Sequence, residues 1–158
     1  MATIRPFKGF RPTPELCSKV AALPYDVMTS KEAREMVKND PYSFLHVDRA
    51  EIDLPENVDI YSKEVYEKAA SNLNKMIEDK VIIQDNKPVF YIYSLTMNGR
   101  EQIGLVVCTS IDEYLNNTIK KHEFTRADKE QDRINHVDYC NANTGPIYLA
   151  CRYTQQLL

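Results

Sequence analysis

The stretch KKHEFTRADKEQDRINHVDYCNANTGPIYL, from Lys120 to Leu149, holds the residue types from which phosphate chemistry is built. Thr125 followed by Asp128 resembles a helix N-cap with an acid in the first turn, which predicts a helix from about Arg126. His122 and Glu123 then stand just before the helix start, where free amide N–H groups and the positive end of the dipole favour an anion. At about 100° per residue, Arg126, Lys129, Arg133 and His136 form one stripe and Ala127, Ile134 and Val137 the next. The basic stripe is thus expected to border the buried face, where a cleft wall would lie. Asn141, Asn143 and the Thr144-Gly145 turn follow, with neutral donors and backbone N–H groups suited to an anion. The ends of such a helix lie about 22 Å apart, too far for one phosphate but within reach of a nucleotide or two-part substrate. The plain alternative is a solvated charged helix. The like-charged i,i+4 pairs Asp128/Asp132 and Lys129/Arg133 weigh against it, because helix stability alone does not favour them.

In the phosphate reading, Arg126, Lys129 and Arg133 neutralise phosphate oxygens, since phosphoryl transfer depends mainly on positioning and charge stabilisation. Glu123 or Asp26 serves as base or metal ligand, and His122 as general acid or donor. Arg11, Tyr25 and Asp26 fall at element boundaries, with Tyr25 and Asp26 placed by Pro24 in a stiff turn; Asp26 also suits a turn-former bonding its own backbone. Asp132 and His136, one turn apart, suit either a divalent cation or a solvated pair. His122-Glu123-Phe124-Thr125-Arg126 starts like H-E-x-x-H, but Arg126 stands where the second histidine belongs, so the zinc-protease motif fails. No P-loop, G-x-G-x-x-G or G-x-S-x-G is present, so side chains and helix ends must hold any phosphate.

A chain of 158 residues with 43% hydrophobic and 27% charged residues can bury a core without disulfides or a structural metal. The formal net charge of -3 argues against a surface that coats nucleic acid. Four cysteines without C-x-x-C spacing and a start lacking a signal-like apolar segment suggest free thiols in a reducing cytoplasm. No stretch is apolar enough to span a membrane.

The elements needed to position the charged helix follow from period and punctuation. The arm IRPFKGFRPTPE leads to a short helix through ELCSKVAAL. Pro24-Tyr25-Asp26-Val27 reads as extended, and Thr29 or Ser30 caps a helix that Asp40-Pro41 stops. YSFLHV reads as a strand with His46 semi-buried, DRAEIDLPEN as a polar loop. Apolar residues from Ile60 to Ile77 recur at helical spacing in the longest helix, which shows no chemistry of its own. Asn98-Gly99 between two β-rich runs predicts a hairpin whose second strand, Ile103 to Thr109, should be central in a sheet with Cys108 in the core. SIDEYLNN reads as a short helix. The expected architecture is one α/β or α+β domain, a mixed sheet containing an antiparallel hairpin and flanked by helices. The run PIYLACRYTQQLL reads as a strand leading onward, hence the expectation of an N-terminal piece of a longer protein.

IRPFKGFRP, ALPYDVMTSKEAR, NDPYSFLHV, REQIGLVVCTSIDEY, IKKHEFTRADKEQDR and NANTGPIYL together resemble, in order, the N-terminal part of the bacterial domain-of-unknown-function family 1015. The most specific element is His122-Glu123-x-Thr125, then Lys129, Asp132-Arg133, Asn143 and Pro146-Ile147. The resemblance implies a tie to serine metabolism and a distant relation to the ParB-like fold, which includes nucleotide-dependent serine kinases; the chain lacks that fold's G-x-x-R phosphate motif. Two functions follow as expectations. One is an enzyme of phosphate chemistry on a small phosphorylated metabolite, kinase or phosphatase, using a nucleotide and a divalent cation. The other is a non-catalytic metabolite- or nucleotide-binding sensor.

Overall fold

The computed structural model describes residues 2–121 and 125–151. The fold is α+β, and every strand pairing among the described residues is antiparallel. Strand β1 (Ile4–Arg5) is followed by β2 (Phe10–Pro12), then by helices α1 (Cys17–Val20), α2 (Ser30–Val37), α3 (Leu45–Asp48) and α4 (Lys63–Glu78). Strands β3 (Ile82–Gln84), β4 (Tyr91–Met97), β5 (Arg100–Val106) and β6 (Cys108–Thr109) lead into α5 (Ile111–Leu115) and α6 (Ala127–Cys140). Among the described residues the strands form three two-stranded ladders, β1 with β6, β2 with β3 and β4 with β5, with an isolated antiparallel bridge between Phe7 and Val89, in place of the expected mixed sheet.

A local signal accounts for the start of α2, whereas α6 starts at Ala127 with Arg126 at its N-cap and no side-chain cap from the expected Thr125. The Thr29 hydroxyl accepts from the Glu32 amide while the Glu32 carboxylate accepts from the Thr29 amide, a capping box that opens α2. The apolar face of α4, with Val65, Ala69, Leu73 and Met76 buried, packs against Val47, Ala50, Val81 and Cys140 in the main core. A second cluster joins Ala33 and Val37 of α2 to Leu45 and Ile52.

Several expectations are corrected by the structure. YSFLHV is not a strand but leads into α3. Leu45 and Val47 are both fully buried, one in each cluster, and two positions apart on a helix they point in nearly opposite directions, so a helical turn serves both. Tyr25–Val27 is a 3-10 turn, not an extended piece. The hairpin forms as expected, with Asn98 (φ 52) and Gly99 (φ 75) in the left-handed conformations its tight turn requires. Its second strand is not central, however: among the described residues β5 pairs with β4 alone, and Ile92 (75%) and Ile103 (67%) are exposed. Cys108 is likewise exposed, in β6 beside Arg5 of β1, outside the core. All four cysteines are free thiols. Residues 146–151 have no regular structure. No helix among the described residues is long and apolar enough to cross a membrane.

His46, now on α3, joins the helix to its surroundings. Its Nδ1 lies 2.9 Å from an Asp53 carboxylate oxygen and its Nε2 3.1 Å from the Asp40 carbonyl oxygen. Both neighbours accept, so the imidazolium with two N–H donors fits best. The Asp53 hydrogen bond leads in raising the His46 pKa, against the opposing effect of burial, and the Asp40 carbonyl adds to it. A folded pKa above the unfolded one stabilises fully below about pH 6.5, the ordinary histidine value, and the contribution fades as pH rises through the folded pKa. Urea midpoints should therefore fall across that window in the native protein. In His46→Gln the fall should be absent.

Candidate functional site

Helix α6 packs along α4 with an unexpected face inward. Asp132 (9%), His136 (4%) and Cys140 (9%) are its buried residues, whereas Ile134 is 46% exposed and Ala127 is exposed as well. A polar face can turn inward only where partners wait for it. The Tyr66 hydroxyl of α4 donates to Asp132 Oδ1 at 2.9 Å, and Arg133 Nη2 and Nε donate to Oδ2 at 2.9 and 3.2 Å. His136 Nε2 is 3.1 Å from the Val47 carbonyl oxygen, which only accepts, so the proton sits on Nε2. The Arg133 guanidinium lies 4.3 Å from the centre of the Tyr25 ring, and Lys129 Nζ donates to the Tyr61 hydroxyl at 2.7 Å. The longest helix thus does carry part of the site.

The facing wall is the segment from Asp48 to Glu51, which runs from the end of α3 into a 3-10 turn over Ala50–Asp53. Arg34 of α2 holds that turn by donating to the carbonyls of Glu51 and Leu54, each at 2.7 Å, and to that of Ile52. Arg49 Nη2 donates to Ser30 Oγ at 2.9 Å and Nη1 to the Tyr25 carbonyl at 3.3 Å. Arg49 Nε lies 2.9 Å from Glu51 Oε1 but out of line for a hydrogen bond, so the contact is an ion pair with an unspent buried donor. Burial pushes the Asp48 carboxyl up from its ordinary value, against the pull of Thr144, His136 and Arg133 beside it. Burial, and then the Asp48 charge, push the Cys140 thiol up to about 11, which makes it a poor nucleophile.

Between these walls lies a cavity of about 50 Å³, lined among others by Tyr25, Asp48, Arg49, Lys129, Arg133 and His136. Tyr25, Lys129, Asp132, Arg133 and His136, read from the sequence as site residues, come together here, with Thr144 beside Asp48. Others do not join them. Arg126 is exposed and paired with Asp128 at 2.8 Å, and Asp26 and Asn143 are exposed, outside the cavity walls. Arg11 lies on β2, bonded to Asp85, which also accepts from the Tyr91 hydroxyl at 2.6 Å; that network ties β2 to β4. His122 and Glu123 lie outside the described residues. Among the described residues no group of three or more His, Cys, Asp or Glu is placed to hold a metal ion, and Asp132 and His136 already have protein partners.

Sequence reasoning passed over Asp48, Arg49, Glu51, Tyr61 and Tyr66. The signal available was Ala50 and Ile52 in a segment read as a polar loop, since two apolar residues alternating with charges can anchor it. Tyr66→Phe tests the buried link. It leaves Asp132 Oδ1 without its donor and is expected to cost about 1–3 kcal/mol in urea denaturation, the range for a buried acceptor losing its partner.

Fold and site together define an α+β protein whose charged helix turns an aspartate and a histidine inward against a small pocket walled by tyrosines and arginines. The chain belongs to the family described as protein of unknown function (DUF1015), which matches residues 4–158. Comparison with curated proteins and with solved structures finds no match.

Proposed function

We propose that the pocket between α6 and the Asp48–Glu51 segment binds a small phosphorylated metabolite, and that the protein carries out phosphate chemistry there as a kinase or phosphatase of a serine-like compound. The observation that carries this reading is the meeting of Arg49, Lys129 and Arg133, from two separate walls, at one small opening that also holds Asp48. Phosphoryl transfer needs fixed positive charge around the equatorial oxygens more than it needs covalent help from the protein. Lys129 has two N–H donors beyond the one given to Tyr61, and Arg49 Nε is a buried donor without an aligned acceptor. Asp48, raised in pKa by burial, suits a general acid or base. A space of about 50 Å³ takes one phosphate or carboxylate group, so the rest of the ligand, a nucleotide included, would lie outside beside exposed Lys129. Glu123 and His122 keep their proposed roles as base or metal ligand and as donor.

The test is to assay the whole protein for phosphate release from phosphoserine and for ATP- or ADP-dependent phosphorylation of serine. Turnover lost in Asp48→Asn with phosphoserine binding retained supports the enzyme. Absence of turnover and of calorimetric binding sinks the proposal. A sensor is favoured by a different observation: Arg49 and Arg133 already hold Glu51 and Asp132, so an arriving anion would rearrange contacts joining α2, the 3-10 turn and α6. Binding without turnover, accompanied by a change in protease sensitivity of these elements, is the result a sensor should give.

A further inference from the structure

Beside the pocket, Ser30 stands in a small polar triangle with Arg49 and Glu51, and the phosphate reading gives the Ser30 hydroxyl no role. Its Oγ donates to Glu51 Oε1 at 2.8 Å and accepts from Arg49 Nη2 at 2.9 Å. Glu51 is only 7% exposed, and Arg34 holds its backbone carbonyl, so the carboxylate is fixed where it can take the hydroxyl proton. A hydroxyl within reach of a base that a third group orients is the arrangement of an activated nucleophile. Ser30 is also the first residue of α2, an eight-residue helix, where first-turn N–H groups and the dipole favour negative charge. Its partners Arg49 and Glu51, and Tyr25 whose carbonyl Arg49 also holds, line the pocket.

We propose that Ser30 is a nucleophile that takes a phosphoryl group from a small phosphate ester or anhydride bound in the adjoining pocket, an inference that rests on the phosphate reading of that pocket. Glu51 takes the Ser30 proton, the Oγ–P bond forms as the donor's P–O bond breaks, and the departing oxygen keeps the bonding pair and is protonated by solvent as needed. Protonated Glu51 no longer repels the new charge. Arg49 and the first turn of α2 stabilise it, because a phosphate at a helix start opposite an arginine gains charge-assisted hydrogen bonds.

The experiment incubates the whole protein with acetyl phosphate, with ATP and Mg²⁺, and with phosphoserine, quenches in acid, and reads intact mass and the peptide bearing Ser30. One phosphoryl group per chain on that peptide is expected, absent in Ser30→Ala and formed about 100-fold more slowly in Glu51→Gln, the lower end of what general-base assistance supplies. Because Glu51→Gln disturbs a buried ion pair and can unfold the segment, Ser30→Ala, which removes one oxygen, decides the matter. No label from any of the three donors, or equal label in Ser30→Ala, overturns the proposal. Calorimetric titration with phosphoserine on the same samples separates the two readings: binding without label overturns the covalent step alone, and neither binding nor label overturns both.

Discussion

Replacing Arg34 by alanine is expected to lower the stability of the protein by about 3 kcal/mol, the largest loss for any single residue around the site. Arg34 donates from one guanidinium to the carbonyls of Glu51, Ile52 and Leu54, and of these the Glu51 carbonyl also accepts from the Leu54 amide within the turn. Hydrogen bonds from a charged donor are each worth about 1.5–3 kcal/mol, but the contacts are half-buried and water can replace part of what is lost, so the sum stays well below three full values. Urea denaturation should show a lower midpoint with an unchanged slope. A loss under about 1 kcal/mol would mean that the apolar contacts of Ala50 and Ile52 hold the turn without Arg34. The consequence reaches the pocket, because Asp48, Arg49 and Glu51 are carried by or lead into the segment that Arg34 pins.

Arg133→Ala should weaken binding of phosphoserine roughly 10- to 100-fold, corresponding to about 1.5–3 kcal/mol for a charge-assisted hydrogen bond. It should also lower stability by about 1–2 kcal/mol, because Asp132 loses its cationic partner at a nearly buried position and Tyr25 loses the guanidinium over its ring. The sequence suggests a binding effect alone, with Arg126, Lys129 and Arg133 acting alike; the structure separates them. Among the described residues Arg126 pairs with Asp128, in an exposed pair, so Arg126→Ala should change both quantities by less than about 0.5 kcal/mol. Arg133→Lys should restore part of the affinity but not the two-pronged grip on Asp132. Calorimetric titration and urea denaturation on these variants check each expectation. Equal affinity in Arg133→Ala and the native protein would remove the pocket from the phosphate reading.

Much of the local structure was legible because its causes lie within a few residues of each other. Thr29 and Glu32 form their capping box, the apolar period of α4 runs along one face, and Asn98-Gly99, both left-handed, makes the tight turn of the hairpin. The charged stretch was legible as a helix, and the structure has α6 over Ala127–Cys140.

The sequence by itself determined the start of α2, the hairpin turn, the family resemblance and the group of Tyr25, Lys129, Asp132, Arg133 and His136 as residues worth following. Only the tertiary structure decided which of them meet. Periodicity counts apolar side chains, so it placed Ala127, Ile134 and Val137 on the buried face. The face that packs is Asp132, His136 and Cys140, because Tyr66, 66 positions away, and the Val47 carbonyl, 89 positions away, supply the hydrogen bonds that make its burial tolerable. The same holds for Arg11, whose partner Asp85 lies 74 positions along the chain, and for YSFLHV, whose strand-forming residues turn helical because two separate cores claim Leu45 and Val47. A polar residue declares its type in the sequence, but its partner comes from a distant segment, and the partner decides whether it is solvated, structural or part of a site.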